Sequence, residues 1–176
     1  MKRTFIVLLV LAFILCLPLQ PSAGQSMQEK NKALMKQAYE YFNADNWDKL
    51  AELLEPNFLD HNPMPEQKAG FEGIKQGFKT FRKAFPDLQM TPSEILVDGD
   101  WACARVTMSG TQKGEFMGMK ASGKKFSIQG FDLIHIVNGK ATERYGTFDN
   151  TAMMMQLGMM PPPKQPAGKK MGEMKK

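Results

Sequence analysis

The chain has 176 residues, 43% of them hydrophobic and 23% charged, with a formal net charge of +5. That charge is unevenly placed: Lys2 and Arg3 account for two of it, and the lysines after residue 163, set against Glu173, for four more, leaving about −1 on residues 25–163. A near-neutral body with a basic tail excludes a nucleic-acid-binding domain, which needs a clustered basic face, and a body of roughly 150 residues suits one domain with a real core.

Residues 1–24 read as a secretory leader. Lys2 and Arg3 give the positive start, "TFIVLLVLAFILCLPL" the apolar run, and the small residues Ser22 and Gly24 are placed for cleavage before Gln25. The run falls short of the ~20 apolar residues of a spanning helix, so a secreted or periplasmic protein with no stable membrane span is expected. Cys16 follows an apolar run as a lipidated cysteine would, but the bulky Leu15 before it disfavours that reading. Cleavage leaves Cys103 alone, so no disulfide can form within the chain.

The domain then spans 25–160. Ser26 and Glu29 have capping-box spacing, and Leu34, Ala38, Tyr41 and Phe42 share a face, which predicts a helix over 27–44. "ADNWDKLAELLEP" predicts a shorter helix, capped near Asn46 and stopped by Pro56. "NFLDHNPMP" reads as extended or loop. Phe71, Ile74, Phe78, Phe81 and Phe85 recur at helical spacing before Pro86, giving a third helix with an aromatic face.

Four strand-like stretches follow: "MTPSEILVDGD", "WACARVTMSGTQ", "FSIQGFDLIHIV" and "KATERYGTFD", with turns at Asp98-Gly99 and Asn138-Gly139. Helices followed by antiparallel strands mean an α+β fold, a curved sheet wrapped around three helices. "TAMMMQLG" closes the domain as a short helix stopped by Gly158, and residues 161–176 read as a disordered Pro/Lys-rich tail.

No metal-binding, phosphate-loop or nucleophile-elbow motif is visible. Acid–base residues on apolar strands remain. His135 shares a strand face with Phe131 and Leu133, and Asp149 is its obvious partner. A two-residue turn at Asn138-Gly139 would send the two to opposite faces. A three-residue loop, Val137–Gly139, would pair Ile136 with Lys140 and line up His135, Ala141, Glu143, Tyr145, Thr147 and Asp149 with Phe131 and Leu133 as one pocket wall. The second register is expected. Asp149 could simply cap the following helix, but Asn150 and Thr151 could do so equally. A carboxyl shielded by Phe and Met side chains holds its proton nearer neutral pH, where a general acid or base works best.

His61, in "FLDHNP", is a candidate for the same pocket, or else a turn histidine beside Pro63. Arg105 is placed to hold a carbonyl or anionic group, though pairing with a structural acid is the plainer reading. Asp60 and Asp132 read as surface or turn acids. The methionines at 153–155 are consecutive and spread around a helix, which suits packing better than Cu(I) binding.

The stretch "GDWACARVTMSGTQKGEFMGMKASGKKFSIQGFDLIHIVNGKATERYGTFDNTAMMMQLG", with "FLDHNP" and "FPDL" upstream, resembles the SnoaL-like polyketide cyclase (ester cyclase) family. The resemblance covers about residues 29–160. Its most specific parts are GTQxGxF, the NGK turn followed by Glu143, and the ending in which Asp149 precedes Gln156-Leu157-Gly158. It implies the cone-shaped nuclear transport factor two-like fold and a cofactor-independent aldol ring closure. It also implies that Asp149 is the general acid/base, supported by His135; from the residues themselves, His61, Arg105, Tyr145 and Phe131 are expected around the substrate. Gln112, where the family often has histidine, is a departure.

Two rivals to an enzyme acting on a small hydrophobic carbonyl compound stand beside it. One is a binding module of the same fold that holds an apolar molecule without converting it. The other is an envelope interaction protein using the sheet face and basic tail. A homodimer is expected through an outer sheet face carrying Ile128, Ile134, Ile136 and Phe148.

Overall fold

A computed structural model describes residues 23–64 and 66–161. Most of the expected leader (1–24) and nearly all of the expected tail (161–176) lie outside these residues. The elements in chain order are α1 (Ala23–Asn43), α2 (Trp47–Glu52), β1 (Leu54–Asp60), α3 (Gly70–Ala84), β2 (Gln89–Asp98), β3 (Trp101–Thr111), β4 (Lys125–Val137), β5 (Lys140–Phe148) and α4 (Asn150–Leu157). The five strands form one mixed sheet in the order β1-β5-β4-β3-β2, with β1 parallel to β5 and every other pair antiparallel. This is the expected α+β architecture. No helix among the described residues is long and apolar enough to cross a membrane.

The helices form where apolar spacing demanded them, with corrected ends. Ser26 lies inside α1 rather than capping it. The Asn46 side chain accepts from the Lys49 N–H at the start of α2. That helix ends at Glu52, before Pro56, which falls within β1. A proline is tolerated there because β1 is an edge strand and its missing N–H can face away from the ladder. Phe78 of α3 meets Phe42 of α1 edge-on at 4.7 Å. The Asn43 side chain bonds both the N–H and the C=O of Met90, pinning the end of α1 to β2.

Alternation along β4 decides which sheet face is the core. Phe126, Ile128, Asp132, Ile134 and Ile136 are buried, while Phe131 and Leu133 are exposed and His135 is half-buried. Ala102, Ala104, Val106 and Met108 of β3 continue the buried face. The face expected to wall the pocket is therefore the outer one, and the face expected to be outside is the core. Ile128, Ile134 and Ile136 cannot form a dimer surface; the outer face presents Leu96, Phe131, Leu133 and Tyr145 instead.

The β4–β5 hairpin also differs from expectation. Asn138 (φ 52°) and Gly139 (φ 76°) both adopt the left-handed conformation, giving a two-residue turn that pairs Val137 with Lys140. The register then shifts. Ile136 pairs with Ala141 but His135 pairs with Glu143, leaving Thr142 as the extra residue of a bulge. The bulge restores His135, Glu143, Tyr145 and Thr147 to a common face, while Ala141 turns into the core.

Candidate functional site

The inner face of the sheet and helices α1–α3 border a partly open cavity of about 110 Å³. Its wall is apolar, with Leu34, Phe42, Phe58, Phe78 and Ile134 among the lining residues; the polar side chains reaching it are Tyr39, Asp132 and Arg144.

Strand register assembles these groups. Asp132 of β4 lies opposite Gly146 of β5, and Arg144 of β5 pairs across with Asp60 of β1. All four sit on the inner face. A Cβ at position 146 would collide with the Arg144 guanidinium, so the glycine leaves the gap in which that group lies flat toward Asp132. Arg144 Nε donates to Asp132 Oδ1 at 2.9 Å, Nη2 approaches the same oxygen at 2.6 Å, and Nη1 donates to both oxygens of Asp60 at 3.2 and 3.3 Å. From α1 the Tyr39 hydroxyl donates to Asp132 Oδ2 at 2.8 Å. Asp60 is further held by the Asn62 N–H and the Gln67 side chain.

The electrostatics follow from burial. Tyr39 is held far above the ordinary phenol range, first by loss of hydration and then by the Asp132 charge, so it remains a donor at any working pH. Burial alone would lower Arg144, but the carboxylates of Asp132 and Asp60 outweigh it and raise the group further. A fixed guanidinium thus serves two carboxylates, and one lone-pair site on Asp132 Oδ2 is left beside the Tyr39 oxygen.

The residues singled out from sequence fall elsewhere. Asp149 is exposed; its carboxylate accepts from the Ala152 N–H at 2.8 Å and caps α4. Its backbone N–H bonds Gln129, six positions along β4 from His135, a separation of roughly 20 Å at strand spacing. The expected carboxyl–imidazole pair is not formed, and the shielding expected of Asp149 is absent. His135, His61 and Tyr145 do come together, around Glu143 on the outer face. His61 Nε2 lies 2.9 Å from Glu143 Oε2, and His135 Nδ1 lies 3.6 Å from Glu143 Oε1. His61 stacks on Tyr145 at 4.0 Å and His135 on Trp101 at 4.4 Å. The hydrogen bond from His61 is the main cause that holds the Glu143 carboxyl below its usual range. Arg105 pairs with Glu94 at 3.3 Å, the plainer of its two expected roles, and Phe131 is half-exposed on the same face. Gln112 is buried and structural, holding the carbonyls of Met119 and Lys120 and the Ser122 hydroxyl. Among the described residues no group of three His, Cys, Asp or Glu is arranged to hold a metal ion.

Sequence reasoning thus missed Tyr39 and Arg144 and placed Asp60 and Asp132 at the surface, where the structure buries both. One signal was available. Asp132 is the lone acid in a period-two run whose other members are Phe126, Ile128, Gly130, Ile134 and Ile136, and Arg144 lies two residues before Gly146 on the facing strand.

Comparison with known proteins agrees with the fold. The family model for SnoaL-like polyketide cyclase matches residues 32–157. The aklanonic acid methyl ester cyclase DnrD of Streptomyces peucetius is 29% identical over 131 residues, covering 71% of this chain and 88% of its own. The nogalonic acid methyl ester cyclase of Streptomyces nogalater is 28% identical over 125 residues, covering 66% and 89%. Among solved structures, TsrD from Streptomyces laurentii superposes with a TM-score of 0.67 at 29% identity, over 75% of this chain and 97% of that one. The chain belongs to the SnoaL-like polyketide cyclase family.

Proposed function

We propose that the protein is a cyclase-type enzyme that moves protons on a small hydrophobic carbonyl compound inside the cavity, using side chains alone. The observation that carries this reading is the Tyr39–Asp132 hydrogen bond at the polar end of an otherwise apolar cavity. At rest the two groups satisfy each other. An entering carbonyl oxygen competes for the Tyr39 hydrogen and frees Asp132 Oδ2 to accept a proton. Asp132 then takes the proton from the carbon next to the carbonyl, and the C–H electrons become an enolate whose oxygen Tyr39 stabilises. The enolate carbon attacks a second carbonyl of the same molecule, and Asp132 returns the proton to the new alkoxide. Arg144 holds Asp132 in place and touches no reacting atom. Cavity walls contribute by folding the substrate so that its ends meet.

The names of the cyclase relatives support ring closure as the reaction class. The leader read from the sequence supports a site of action outside the cytoplasm. The exposed Leu96, Phe131 and Leu133 favour a homodimer through the outer face; a monomer by light scattering would refute that part. The catalytic part is tested by α-proton exchange of cyclohexanone in D2O, followed by NMR. Wild type should accelerate exchange, and Tyr39→Phe, which removes one hydroxyl, should lower the rate by about 10²-fold. Equal rates for the two proteins would refute the role of Tyr39.

A further inference from the structure

The geometry points to a narrower ligand class: the cavity takes uncharged compounds no larger than a single ring, and holds their hydroxyl or enol form more tightly than the keto form or a carboxylate. This rests on the assignment of the cavity as the reaction site. Size comes first. A space of about 110 Å³ is smaller than the roughly 150 Å³ apolar cavity that accommodates benzene, and far below the ~300 Å³ or more of drug-sized ligands. A fused multi-ring polyketide does not fit, and one six-membered ring, or an open chain able to close into one, is the upper limit.

Charge comes second. One guanidinium faces two carboxylates, so the buried group is already anionic by one when both are ionised. The Arg144 donors are directed at Asp132 and Asp60. An entering carboxylate would lose its hydration, find Tyr39 as its single donor and meet a like charge.

Hydrogen bonding comes third. The Tyr39 hydroxyl and Asp132 Oδ2 form a donor–acceptor pair 2.8 Å apart. A ligand hydroxyl inserted between them accepts from Tyr39 and donates to Asp132, so one bond is exchanged for two. A ketone oxygen accepts from Tyr39 only and leaves Asp132 Oδ2 without a partner while Oδ1 stays bonded to Arg144, a loss of the kind that buried polar groups resist. The site therefore complements the enol, the species nearest the transition state of proton removal.

Calorimetric titration of the full chain with phenol, cyclohexanone and benzoate tests this. Phenol should bind at least ~10-fold more tightly than cyclohexanone, the difference expected of one charge-assisted hydrogen bond. Benzoate should show no binding at ten times the phenol Kd. Ala38→Leu, which fills the cavity from α1, should abolish phenol binding. Tyr39→Phe should keep phenol bound through Asp132 while weakening cyclohexanone. Benzoate or cyclohexanone binding as tightly as phenol, and lost in Ala38→Leu, would overturn the selectivity and leave the cavity as the site. Binding unaffected by Ala38→Leu, or no binding of any of the three, would overturn both.

Discussion

The two faces of the β4–β5 ribbon carry two polar clusters built from alternate residues of the same strands. On the inner face Asp132, Arg144 and Asp60 are packed away from water under Tyr39. On the outer face His61, Glu143 and His135 meet at similar distances, but their side chains remain about a quarter to a third exposed. Spacing and residue type look alike; hydration separates them. Hydrogen bonds to an ionised group are strong where water is excluded, and leaving such a group unpaired there is costly. Outside, water replaces any lost partner and salt screens what remains. The inner cluster can therefore fix geometry, while the outer one adds contact at little risk to the fold.

The sharpest test of that contrast removes the inner cation. Arg144→Met strands two buried carboxylates and should cost about 3–5 kcal/mol of stability in urea denaturation; a change below about 1 kcal/mol would show that water reaches the cluster. Gly146→Ala acts on the same contact by crowding the guanidinium, and should destabilise in the same direction by a smaller amount. Next is pH. Tyr39 is raised in the folded protein, so its stabilising contribution is complete below the ordinary phenol value of 10.0 and declines as pH rises beyond it, because the unfolded chain then releases a proton that the folded one keeps. The offset between the stability curves of wild type and Tyr39→Phe should be constant below about pH 10 and change only above it, by up to ~1.4 kcal/mol per pH unit. The smallest effect belongs to the outer face. Glu143 is lowered, so its contribution is present above the usual carboxylate range and fades as pH falls below it. Glu143→Gln should leave the unfolding midpoint at neutral pH unchanged within error, and a large shift would mean that the outer cluster is covered in solution.

Element boundaries were largely legible from sequence. The aromatic spacing of α3, the strand alternation of β2 to β5 and the Gly158 stop of α4 all depend on local periodicity, and each is found. Which sheet face turns inward depends instead on the whole sheet. Along β4, Phe131, Leu133 and Val137 balance Ile128, Ile134 and Ile136 in apolar character, and only the helices packed against one side break that balance. Choosing the other face carried His135, His61, Tyr145 and Phe131 into a pocket they do not line. The same choice hid Asp132, whose acid on an apolar face reads as a defect until Tyr39 and Arg144 are brought to it through the tertiary fold. The Thr142 bulge was equally invisible, because an extra residue in a ladder leaves no periodic trace.

The most direct test compares two carboxylates in the same reaction. Cyclohexanone α-proton exchange in D2O should fall by about 10²-fold or more in Asp132→Asn and stay at the wild-type rate in Asp149→Asn. Loss of exchange in Asp149→Asn, with Asp132→Asn unchanged, would contradict the assignment of the chemistry to the cavity.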